Sequence, residues 1–237
     1  MTDKVLYFIM VPMVYASLLI FLLGLVYSFI IIKKAPVHPV TLRIFPVESA
    51  SRLRGIVEAF TMPTIRRDSP VFWVFLVLYH MAFFTLIACH IDLVPGINLM
   101  APDSIHMIGY GSVGLVLTVS VLYFLFRRFK SPVREISTPG DYLILLILFL
   151  IFITGDVISW SNSWNENGFV IGKADFKKYF KILIDFTFQD PREVLQGSHY
   201  IVAAVHVFLA NIFIMLFPFT KFVHTFLALP VNKLRRG

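Results

Sequence analysis

Four histidines stand in or at the end of apolar segments, and their spacing is the most chemically specific feature of the chain. His80 and His90 share one segment; His206 lies in another, and His224 follows it just past Phe217-Pro218-Phe219. Coordinating side chains at membrane depth are costly and usually functional. If both segments are helices, His80 and His90 lie roughly 15 Å apart in depth at 1.5 Å per residue. Eighteen residues at 100° each bring His224 back to the helical face of His206. If the two helices run antiparallel, His90 and His206 are both nearer one membrane face, and His80 and His224 nearer the other. Two neutral imidazoles facing each other across a bundle can fill both axial positions of a haem iron, which then transfers electrons rather than binding oxygen. No Cys-x-x-Cys-His sequence is present, since Cys89-His90 is only its tail, so such haems are held without a covalent link and are of b type. One lone histidine in a span is as readily a hydrogen-bonded packing residue; four in two depth-matched pairs are harder to explain that way. One fit is imperfect. Eighteen residues cover roughly 27 Å of straight helix, more than the spacing of His80 and His90. Pro218 must kink or end the helix, and tilt must absorb the rest.

The elements that must position these residues are apolar helices. Of 237 residues, 58% are hydrophobic and 15% charged, against nearly half and a quarter in soluble domains. The excess sits in runs long enough to cross a hydrocarbon core, which takes roughly 20 residues. We read an all-α membrane protein, a bundle of five transmembrane helices at about 5–32, 70–93, 105–126, 141–160 and 196–220, forming one membrane domain over 1–237. Pro70 suits the first turn of the second helix. Helix one is too long for a signal peptide and lacks a basic leader and a small-residue cleavage site. The lone Cys89 excludes a disulfide framework and a cysteine-rich iron–sulfur or zinc site within the chain.

The net charge of +7 is placed, not spread, so it is read as topology rather than as nucleic-acid binding. Seven cations lie in the first loop, four in the third and four in the C-terminal segment, fifteen of the 21 Lys and Arg. The positive-inside rule then puts the N-terminus outside and the C-terminus in the cytoplasm. Trp160 and Trp164 fit an outer aromatic belt and Trp73 an inner one. The cytoplasmic loop 33–69 is long and basic. Within it, 48–65 carries Leu53, Ile56, Val57 and Phe60 among arginines, the pattern of an amphipathic helix that docks a partner or lies on anionic lipid. The outer loop 161–195 contains a second amphipathic stretch at about 175–188.

From about residue 70 onward the chain resembles the gamma subunits of respiratory nitrate reductases. The resemblance rests on Tyr79-His80 followed by Cys89-His90, and on His206 followed by Leu216-Phe217-Pro218-Phe219-Thr220-Lys221-Phe222-Val223-His224. It rests also on Arg127-Arg128-Phe129-Lys130-Ser131-Pro132-Val133-Arg134 and Thr138-Pro139-Gly140-Asp141. It implies a di-haem cytochrome b in the cell membrane that oxidises quinol near the outer face and passes electrons inward to a cytoplasmic iron–sulfur partner. His90 and His206 would hold the outer haem, His80 and His224 the inner. The long basic first loop departs from the short connection of those subunits. It is more similar to the membrane subunits of sulfite-reduction-associated and heterodisulfide-reductase-like complexes, which have a different iron–sulfur subunit and sometimes further membrane or extracytoplasmic redox partners.

Other residues have two readings each. His106, opening helix three on the outer side, either accepts a proton from quinol or sits wet at the interface; Asp156 either does the same or caps and faces solvent. His199 shares the face of His206 and either lines the outer cavity or rivals it as ligand. Arg127, Arg128, Lys130 and Arg134 either bind haem propionates or serve orientation alone. Gly109, Gly111 and Gly114 either allow close helix packing or make room for a porphyrin edge. His38 reads as an ordinary loop residue. Two other functions stay open at this level: a histidine-based metal-ion transporter and a membrane anchor without redox role. Transporters usually set carboxylates beside such histidines and repeat their halves; here helix two has only Asp92, at its edge, and no halves match.

Overall fold

The structure is a computed structural model and describes residues 2–34, 57–58, 61–99, 112–164, 171–197 and 200–223. The described residues are helical, without strands. The first span is two helices, α1 (Thr2–Met10) and α2 (Pro12–Lys34). The sequence predicts one continuous helix there. Pro12 has no N–H to give the preceding turn, so the regular bonding lapses at Val11. A short helix α3 (Pro63–Asp68) leads into α4 (Pro70–Ile91). Both open on a proline in the first turn, where the missing N–H costs nothing. Next come α5 (Ser112–Arg128), α6 (Pro139–Trp164), α7 (Lys173–Ile184) and α8 (Tyr200–Leu216). Two 3-10 turns, Phe217–Phe219 and Lys221–Val223, follow α8. The α-helix stops one residue before the Phe-Pro-Phe segment, as Pro218 requires.

Among the described residues, four helices are long and apolar enough to cross a membrane: Asp3–Ile31, Pro70–Ile91, Pro139–Trp160 and Tyr200–Phe219. The fifth expected span, 105–126, is described only from Ser112, as the 17 residues of α5. The chain is a multi-pass membrane protein, and its surface agrees. Leu19, Leu22, Leu23 and Val26 of α2 are exposed, whereas Ser17 of the same helix is fully buried. Ser17 Oγ lies 3.0 Å from Asn211 Oδ1, and Asn211 Nδ2 donates to the Ile9 carbonyl at 3.1 Å. Apolar side chains face lipid while polar ones find partners inside, because the hydrocarbon core offers polar groups none.

The packing order sets the site. α4 packs on α5, α5 on α6, α6 on α8, and α8 on α2. The core between them holds Tyr79, Leu117, Val121, Leu148, Ile151 and Phe152. The helices that carry the histidines, α4 and α8, are not among the closely packed pairs. On α2, a Cβ at Gly24 would come within 2.8 Å of the Pro218 ring, so this glycine lets the first span fit against the end of α8.

Beyond the spans, α7 is the amphipathic helix expected at 175–188. It starts two residues earlier and stops at Ile184, after which Phe186 and Phe188 take positive φ values that no helix can use. Its Phe176, Tyr179 and Phe180 pack on Leu6, Met10, Val11, Tyr200 and Ala204. The Tyr179 hydroxyl donates to the Met10 carbonyl at 2.6 Å, and burial raises its pKa, so it stays a donor. Two lysines staple α7 to the end of α4: Lys173 pairs with buried Asp92, and Lys177 Nζ donates to Asn98 Oδ1 at 2.9 Å. Most of the loop 33–69, including Leu53, Ile56 and Phe60, lies outside the described residues. Val57 is exposed, and the Trp73 indole donates to the Thr61 carbonyl at 2.8 Å, tying the end of the loop to α4.

Candidate metal centre

His80 and His90 are presented by α4 in the same way. Nδ1 of His80 lies 2.7 Å from the Leu76 carbonyl, and Nδ1 of His90 lies 2.8 Å from the Leu86 carbonyl. A carbonyl only accepts, so Nδ1 must carry the proton in both rings. Each Nε2 then keeps its lone pair, the form that binds a metal. His206 reaches the same state by a different route. Its Nδ1 lies 3.1 Å from the Ile151 carbonyl and 3.0 Å from Thr154 Oγ1, both on α6. All three rings are half-buried.

His90 on α4 and His206 on α8 stand on helices that are not among the closely packed pairs. Gly155 adds a cradle: a Cβ there would come 3.3 Å from Cε1 of His206. Among the described residues, no three His, Cys, Asp or Glu side chains converge on one point. The donors described are three imidazoles, a type that can ligate haem iron. His224, His106 and His199 lie outside the described residues, as do Gly109, Gly111 and His38.

Lys221, three residues before His224, is held by Asp141. Its Nζ donates to Asp141 Oδ2 at 2.7 Å, and the same oxygen accepts from the Thr138 N–H and hydroxyl. Arg128 lies 3.4 Å from that carboxylate and donates to Ser137 Oγ at 3.1 Å. Arg127 rests over the Phe72 ring of α4, 4.0 Å from its centroid. Lys130 is exposed, and Arg134 is exposed beside Glu135. Of the four cations read as propionate partners, Arg127, Arg128 and Arg134 each have neighbours of their own.

Asp156 is buried between α5 and α6, where it accepts from the Thr118 hydroxyl at 2.7 Å. A Cβ at Gly114 would land on its other oxygen. Gly114 thus makes room for a carboxylate. Asp156 faces α5, while Gly155 beside it faces His206 on α8.

Sequence reasoning missed Thr154, Gly155, Asp141 and Lys173. Only Asp141 left a sequence signal, in Thr138-Pro139-Gly140-Asp141, and its partner Lys221 lies eighty residues further on.

Comparison with known proteins covers the same histidines. The family model for the nitrate reductase gamma subunit matches residues 72–237, from the first turn of α4 onward. A nitrate reductase gamma chain from Bacillus subtilis is 27% identical over 170 residues, 68% of this chain and 74% of the relative. An Hdr-like menaquinol oxidoreductase cytochrome b-like subunit from Archaeoglobus profundus is 27% identical over 174 residues, 66% of this chain. The aligned part is 47% of that relative, so the chain spans about half its length. Helix one and the whole of the basic loop 33–69 precede the family match. With His80, His90, His206 and the Phe-Pro-Phe segment all inside it, the chain belongs to the nitrate reductase gamma subunit family.

Proposed function

We propose that this chain is the membrane cytochrome b subunit of a respiratory oxidoreductase complex. It forms one domain of five spans, N-terminus outside and C-terminus cytoplasmic, and carries two haems b. His90 and His206 hold the outer haem, His80 and His224 the inner. The observation that carries this reading is the shared state of the three described histidines: each has Nδ1 engaged by a carbonyl, which leaves Nε2 for a metal. The names of the two relatives support the function.

Haem held by these histidines would supply one-electron transfer. The chain's own residues would do the rest. The carbonyls of Leu76, Leu86 and Ile151 fix the tautomer and tilt of each ligand. The apolar core around Tyr79, Leu148 and Phe152 keeps water out between the two depths. The substrate is a quinol, of the menaquinol class by the archaeal relative's name. Its oxidation to quinone releases two electrons and two protons. The electrons go inward to a cytoplasmic iron–sulfur partner. The protons leave on the outer side, with His106 and Asp156 as the candidate acceptors. Arg127, Arg128, Lys130 and Arg134 crowd the cytoplasmic end, where propionates or an acidic partner surface would meet them. Loop 33–69 is the docking surface for that partner, and further membrane or extracytoplasmic redox subunits complete the complex.

The test is anaerobic mixing of the purified chain with a reduced menaquinone analogue. The α-band of reduced b haem should grow to the level reached with dithionite for at least the outer haem. Haem that dithionite reduces and the quinol leaves oxidised would reject quinol oxidation by this subunit.

A further inference from the structure

The three described histidines are not held alike. His80 and His90 each bond the carbonyl four residues back on their own helix, so their rings follow α4. His206 bonds across to α6 instead. Its orientation is therefore set by a neighbouring helix, at Ile151 and Thr154.

The geometry at Thr154 makes it a specific device. Its hydroxyl lies 2.8 Å from the Leu150 carbonyl and 2.9 Å from the Ile151 carbonyl. A hydroxyl has one proton, and giving it to either carbonyl leaves a lone pair on Oγ1. That lone pair faces His206 Nδ1 at 3.0 Å, while the Ile151 carbonyl accepts from the same nitrogen at 3.1 Å. The His206 N–H is thus shared between two acceptors, where those of His80 and His90 each have one carbonyl. Gly155 controls the other degree of freedom. Cε1 lies between the two ring nitrogens, so a Cβ pressing on it would swing Nε2 off its present axis.

We propose that Thr154 and Gly155 are positioning residues for the outer haem. Thr154 makes His206 a stronger donor and so lowers that haem's reduction potential, and Gly155 sets the ring's tilt. The inference rests on the reading of His206 as an axial ligand. An outer-shell acceptor on a ligating histidine raises its basicity, and a more basic ligand favours oxidised iron. Two acceptors on one N–H do this more than one.

The experiment is a redox titration of the purified full-length chain, followed by haem absorbance and by electron paramagnetic resonance. Three variants are compared with the native chain: Thr154→Val, Thr154→Ser and Gly155→Ala. Val has nearly the shape of Thr and lacks only the hydroxyl. Outer-shell changes typically cost tenfold or more, so Thr154→Val should shift the outer haem's equilibrium toward the reduced form by about tenfold, about 59 mV upward for one electron. The inner haem should not move, and Thr154→Ser should return the potential to the native value. Gly155→Ala should change the outer haem's resonance signal while both haems stay bound. A purely structural role for Thr154 would lower stability without moving one haem selectively. If His206→Ala removes one haem but Thr154→Val and Gly155→Ala leave that haem's potential and signal unchanged, the inference is overturned and the ligand reading stands. If His206→Ala keeps both haems, the ligand reading falls and the inference with it.

Discussion

Changing His206 to Ala should remove one haem and leave the other. Nε2 of His206 is the atom available for the iron, because Nδ1 is engaged by Ile151 and Thr154. Those neighbours offer a carbonyl and a hydroxyl, neither of which replaces an imidazole at haem iron. His90 cannot compensate, since it is the ligand proposed on the opposite side. The outer haem's signal should fall at least tenfold, as expected for removing a ligand rather than an outer-shell partner. His80 lies roughly 15 Å from His90 along α4, so the haem proposed there should titrate as before. His90→Ala should give the same phenotype and His80→Ala the complementary one. Haem extraction and redox titration of the three variants check this. Retention of both haems in His206→Ala would exclude His206 as a ligand and turn attention to His199.

A large effect is also expected at Asp92, two residues after His90. Its side chain is 2% exposed and that of Lys173 14%, so both charges of this pair have left water. The Leu99 N–H donates to the other carboxylate oxygen at 2.6 Å. Asp92→Ala strands a buried ammonium and an amide donor together. Breaking a buried pair from one side costs about 3–5 kcal/mol. The loss should concentrate on α7 and the segment after α4, because Lys173 is the first residue of α7 and Lys177 bonds that segment at Asn98. Limited proteolysis should cut near α7 in the variant before the spans are touched. Replacing both partners with apolar residues of similar volume, Asp92→Leu with Lys173→Met, should recover most of the loss, because no unpaired charge is left. Equal melting and proteolysis of Asp92→Ala and the native chain would show that the pair does not anchor α7.

These two sites also mark how far the sequence could be read. Helix α4 was legible to within a few residues, from Pro70 to the polar edge at Asp92, because a span must be apolar for its full width and proline opens it at no cost. The end of α8 was legible for a similar local reason, the ring of Pro218. The proposed pairing of the histidines rests on helical rise and antiparallel direction alone. What escaped depends on contacts between distant segments. Asp92 was visible at the edge of a helix, but nothing local announces Lys173 as its partner. Nothing local announces Asp141 and Ser137 as the neighbours of Arg128 either. Thr154 is one polar residue in an apolar helix, a type that commonly bonds its own i−4 carbonyl. Its second contact, to His206, exists only because α6 and α8 pack together. The lapse at Val11 went unread because Pro12 lies inside an unbroken apolar run.

The central claim is that the four histidines hold two haems b, and the haem content of the purified full-length chain tests it most directly. Pyridine haemochrome analysis against protein concentration should give two haems per chain, extracted completely by acidified acetone because no covalent link holds them. A colourless chain, or one that carries iron or zinc without porphyrin, would contradict the account.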